Sequence, residues 1–203
     1  MKIDKPTVNH EHITAYLSDL QDFIDSPEVK EERVCEGCVA PCSCSASHEC
    51  ACDCSEYCPM VAKQMSSDPD RYPIEAAIIP LVFAFGSLRI MQPCWSCEGH
   101  LNNRGEITHF PRVWFYSHSV SYVKLLSVYL TNLKFKKQLA YDWEITVLPY
   151  NDSPETTFCL KPTIEAGIPD LFRMRKDCIA IASNLRTKLL DLAREEFRKL
   201  SKI

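Results

Sequence analysis

The chain has 203 residues, 46% of them hydrophobic, which suffices for one good core with a small appendage and excludes a disordered or fibrous protein. Its formal charge of −4 is unevenly spread: residues 1–72 hold 6 Lys+Arg against 14 Asp+Glu, residues 73–164 hold 8 against 7, and residues 165–203 hold 9 against 6. The acidic first third lacks the basic face that grips phosphate, which argues against nucleic acid as a partner there, and the longest apolar stretch, Ala76 to Phe85, is too short and too interrupted by Pro80 to span a bilayer.

Met1–Lys5 run straight into polar sequence without the apolar segment of a secretory signal, so the expected compartment is the cytoplasm, where thiols stay reduced. From His10 to Ile24, Ile13, Leu17, Leu20 and Ile24 share one helical face, and Ser26-Pro27 ends it.

The next segment holds eight of the twelve cysteines: Cys35, Cys38, Cys42, Cys44, Cys50, Cys52, Cys54 and Cys58. Ordering each residue costs about 1–2 kcal/mol of backbone entropy, and Val39 and Tyr57 offer too little apolar area to offset it. Cross-links must hold the segment, and a structural zinc site supplies roughly 10–16 kcal/mol of folding free energy. Cys35-x2-Cys38 has the turn that lets two sulfurs face one zinc at about 2.3 Å, and the alternating Cys50, Cys52 and Cys54 project to one side of an extended chain, where sulfurs bridge ions. Cys54-x3-Cys58-Pro59 resembles the end of the bacterial ferredoxin run, C-x2-C-x2-C-x3-C-P, which implies an iron–sulfur cluster; Cys50 and Cys52 precede it at a spacing of one, unlike that family. Zinc is the expected metal, with an iron–sulfur cluster as the alternative.

Pro73 suits the first turn of a helix ending near Gly86 with a kink at Pro80. Ser87 to Gln92 reads as a strand and Arg112 to Ser117 as a stronger one, rich in aromatic and β-branched residues. Val120, Val123, Leu126, Leu130 and Leu133 form a helical stripe that Ser119 is placed to cap. Trp143, Ile145 and Val147 alternate along a strand that a turn over 149–154 returns as Thr156 to Lys161. Leu171, Met174, Cys178, Ile181, Leu185, Leu189 and Leu192 mark one long C-terminal helix starting near Pro169. The order predicts an α+β fold: a four-stranded antiparallel or mixed sheet with helices packed on one side, plus a cysteine-rich metal-binding insert. Residues 1–72 would form the N-terminal helix and metal-binding segment, and 73–203 the core domain.

A second constellation lies between the two expected strands. Cys94, Cys97 and His100 can supply three ligands from what reads as a loop, and His109 on the returning arm a fourth, giving C-x2-C-x2-H-x8-H. Pairing 87–92 with 112–117 makes residues 93 and 111 neighbours, closes this site at little cost, and sends His118 to the far end. Pro93-Cys94-x-x-Cys97 resembles the second half of the zinc deaminase signature, H-x-E followed by P-C-x-x-C; the first half has no counterpart, because His10-Glu11-His12 and His48-Glu49-Cys50 are spaced otherwise. A thiol redox pair, or two small apolar residues under a loop, are the other readings of Cys94 and Cys97. Glu98 is the candidate general base by adjacency. Cys178 falls on the apolar helix stripe, and Cys159 faces away from Phe158 and Leu160 on its strand. The functional expectation is a cytoplasmic zinc-binding accessory or interaction protein with a protein partner and no membrane; the alternative is an iron–sulfur or thiol redox enzyme with Cys94 and Cys97 near an unspecified substrate.

Overall fold

The computed structural model describes residues 10–27, 66–68, 70–149, 156–164 and 168–202; the cysteine run Cys35–Cys58, with its expected zinc or iron–sulfur ligands, lies outside the described residues. In chain order the described residues form helices α1 (His10–Asp25) and α2 (Ile79–Gly86), strands β1 (Gln92–Cys97), β2 (His100–Leu101), β3 (Ile107–His109) and β4 (Arg112–Ser117), helix α3 (Val120–Phe135), strands β5 (Asp142–Leu148) and β6 (Thr156–Thr163), and helices α4 (Leu171–Ala182) and α5 (Leu185–Leu200). The fold is α+β, with a four-stranded antiparallel sheet in the order β1-β4-β6-β5 and a small ribbon of β2 with β3. Among the described residues no helix is long and apolar enough to cross a membrane.

Period-two alternation decides which residues enter the core. Register places Val113 opposite Leu160 and Phe115 opposite Phe158, and Ile145 pairs with Leu160 from the other side. These residues join the helices in one core, whereas the alternate residues Trp114, Thr157 and Cys159 do not belong to it. Phe115 stacks on Phe158 at 5.6 Å and meets Phe85 of α2 at 5.0 Å. Leu20 and Phe23 carry α1 into the same core. Asp19 accepts hydrogen bonds from Ser119 and Ser121 hydroxyls, which places a carboxylate at the N-terminus of α3, while Ser119 Oγ caps that helix by accepting from Ser121 N–H at 3.0 Å. The buried Asp177 of α4 accepts from Ala140 N–H, Tyr141 N–H and Trp143 Nε1–H at 2.9, 3.0 and 3.1 Å, tying α4 to the start of β5.

Three elements differ from the sequence expectation. Ser87–Met91 is a set of turns rather than a strand: Arg89 has φ 60°, Ser87 N–H donates to Phe83 O, and Leu88, Ile90 and Met91 are buried from these turns. The apolar alternation there records burial, not a ladder, and β1 starts at Gln92 instead. The helix expected from Pro73 begins only at Ile79, because Pro80 occupies the first turn, where its missing N–H goes unneeded, and so starts the helix rather than kinking it. The single C-terminal helix is two helices, separated where Asn184 adopts φ 58°, ψ 21°. The Tyr129 hydroxyl stands 3.0 Å from Ile181 O and 3.1 Å from Ser183 O and satisfies carbonyls at the end of α4.

Candidate metal centre

The β1 strand ends on Cys97, Glu98 and Gly99 make a tight turn, and His100 opens β2. Gly99 has φ +83°, and a Cβ there would lie 2.5 Å from Leu171 Cδ1 and 2.9 Å from His109 O. Only glycine fits both the dihedral and the space. The segment before α2 lies against this turn through reciprocal bonds: Glu98 N–H donates to Glu75 Oε2 at 2.7 Å, and Ala77 N–H donates to Glu98 Oε2 at 2.8 Å. On the other side Arg175 of α4 donates from Nη2 to Glu98 Oε1 at 2.7 Å and to Gly99 O at 2.9 Å, and from Nε to Glu98 O at 3.1 Å. Both Glu98 carboxylate oxygens are therefore engaged. Glu98 clamps the turn and is not a free base, which corrects its sequence-based role.

This clamp brings together three different donor atoms. Glu75 Oε1 contacts His100 Nε2 directly at 3.0 Å, and the ligand atoms of Glu75, Cys97 and His100 all lie within 4.8 Å of one another, close enough that they could share one ion. Among the described residues this is the group in which three such atoms converge. Cys97 is buried, and burial pushes its thiol up, with the Glu75 and Glu98 charges adding to the effect and the Gly99 N–H, 3.4 Å from Sγ, and the Arg112 charge opposing it. A divalent cation at this point would reverse the balance, because the carboxylate and thiolate then face opposite charge.

The three donors line one cleft of about 700 Å³ whose walls include Arg71, Tyr72, Cys94 and Trp95. Trp95 is held in place by Trp114, with ring centroids 4.8 Å apart, and by the Arg112 guanidinium 5.7 Å from its ring. Cys94 sits at a β-bulge, where the register slips between Pro93 opposite Phe115 and Trp95 opposite Trp114. It is exposed to the cleft rather than mounted on a loop, and partial covering of its sulfur raises its thiol, with the Tyr116 hydroxyl opposing. His109 faces His100 across the β2–β3 ribbon, ring edge to ring face at 5.9 Å, with Nδ1 3.2 Å from Thr108 Oγ1. The group within 4.8 Å contains neither Cys94 nor His109. The expected adjacency of residues 93 and 111 is replaced by Cys97 opposite Arg112. His118 packs on Tyr122 at the far end of β4, away from the cleft. Cys159 pairs in register with Trp114 and Thr146 and is buried outside the main core, and Cys178 lies in the core with its thiol pushed far up by burial.

Sequence reasoning missed Glu75. It stands outside the Cys/His spacing, and only the fold carries it to Cys97 and His100. Neither a protein family, nor a curated protein, nor a solved structure matches the chain.

Proposed function

We propose that the protein is a metal-binding accessory or interaction protein that holds zinc, one ion in the cleft at Glu75, Cys97 and His100 and two or more in the cysteine run Cys35–Cys58. The observation that supports the cleft ion is the convergence of a carboxylate, a thiol and an imidazole nitrogen within 4.8 Å. The mixed O, S, N set suits zinc, a borderline-soft ion without geometric demands of its own. The clamp of Glu98 and Arg175 supplies outer-shell order of the kind that orients ligands. His109, edge-on to His100, belongs to the same surroundings, and Cys94 is a thiol within the same cleft.

Metal analysis of full-length protein purified without air tests this reading. Colourless protein with three or more zinc ions per chain is expected, and Cys97→Ser should lower the count by about one while the sheet remains folded. Unchanged stoichiometry in Cys97→Ser would overturn the cleft ion. Brown protein carrying iron and sulfide in stoichiometric amounts would instead establish the iron–sulfur alternative for the cysteine run.

A further inference from the structure

A zinc ion held by Glu75, Cys97 and His100 has three protein donors, and its tetrahedral shell takes four. All three donors line the cleft, so a fourth ligand can approach the ion from it. The carboxylate and the thiolate together cancel the +2 charge of the ion. An anionic fourth ligand would then leave the centre at −1 beside a buried sulfur, where an uncompensated charge is costly. Arg71 lines the same cleft with its guanidinium 5.0 Å from the centre of the Tyr72 ring and no carboxylate partner among the described residues. It is the one Lys or Arg side chain among the described residues that line the cleft. The other walls mix apolar side chains, among them Tyr72, Ile74 and Trp95, the last 41% exposed, with three serines, Ser66, Ser67 and Ser96. A volume of about 700 Å³ accommodates a small organic molecule rather than a lone water or ion.

We propose that the cleft, given the zinc ion already assigned to it under the proposed function, binds a small carboxylic acid with an apolar body. The carboxylate takes the fourth position on the metal, Arg71 compensates its charge, and the body lies along Tyr72 and Trp95. Arg71 is then the specificity-determining residue, because without it the neutral centre favours water over an anion. Tyr72 keeps the guanidinium in place by stacking beneath it.

Cobalt-loaded full-length protein, titrated with phenylacetate and with acetate and followed by its visible absorption, tests the proposal. A saturable spectral change with phenylacetate is expected, at lower concentration than with acetate, and absent in Cys97→Ser, which lacks the cleft ion. Arg71→Gln should keep its metal and weaken phenylacetate by about tenfold or more, the worth of a charge-assisted contact. If Cys97→Ser retains full metal content, the metal reading fails and the ligand site with it. If the cleft ion depends on Cys97 but phenylacetate leaves the spectrum unchanged, or binds Arg71→Gln as tightly as the parent, the ligand proposal alone is overturned. Equal affinity for acetate and phenylacetate would remove the apolar body from it.

Discussion

Gly99 shows how one residue sets the geometry of the candidate centre. A side chain there would need a positive φ and would run into a backbone carbonyl, His109 O, which cannot move without disturbing β3. Gly99→Ala is expected to cost about 1–3 kcal/mol in urea unfolding, from the strained dihedral and the overlap with Leu171 and Pro111, and to lower cleft metal because Cys97 and His100 flank the turn. Parent-like unfolding together with parent-like metal content would show that the turn tolerates a side chain. Glu98 illustrates the converse at the same scale. Its adjacency to Cys97 suggested acid–base chemistry, yet its carboxylate spans Arg175 and Ala77 N–H, so its role is to hold the segment that carries Glu75 against the turn between Cys97 and His100.

At the scale of elements, breaks in periodicity matter more than periodicity itself. The apolar stripe Cys178, Ile181, Leu185, Leu189 runs unbroken across α4 and α5, because a local kink preserves the buried face while the chain changes direction. The residue at the break, Asn184, is the non-glycine type that best tolerates the left-handed region. Asn184→Gly should therefore alter stability by only a few tenths of a kcal/mol, whereas Asn184→Val should cost about 1–2 kcal/mol. Denaturant midpoints for the pair measure this, and equal midpoints would mean that the helices can join without strain. The bulge in β1 acts likewise. It inserts Cys94 without a partner on β4, which keeps Trp95 opposite Trp114 and delivers Cys97 opposite Arg112 at the mouth of the turn.

At the scale of the molecule, the core of the described residues couples the helices to the sheet and buries two phenols with it. Burial pushes the Tyr129 hydroxyl up to about 12, and burial with the nearby Asp19 and Asp22 charges does the same for Tyr122. Both folded values lie above the ordinary value of 10, so the folded state holds its protons longer than the unfolded chain. The resulting stability is fully present below pH 10 and is lost as pH rises towards 12, by about 2–3 kcal/mol for each phenol. Urea midpoints measured between pH 9 and 12 should fall, and Tyr129→Phe should flatten that fall while lowering neutral-pH stability by about 1 kcal/mol through loss of its bonds to Ile181 and Ser183 carbonyls. An identical alkaline slope in parent and variant would contradict the assignment.

The α+β class, the strands around 112–117, 143–147 and 156–161, the Ser119 cap, and the placement of Cys159 on the opposite face from Phe158 were all determined by the sequence alone, because each depends on local periodicity or on a side chain meeting its own backbone. The spacing also picked out Cys97 and His100, two of the three convergent donors, since a tight turn joins them. Only the tertiary structure decided the third donor, the clamp and the cleft. Glu75 and Arg175 reach the Cys97–His100 turn from 22 and 78 residues away, as measured from Cys97, and no local pattern records which long-range contacts the core will hold in place.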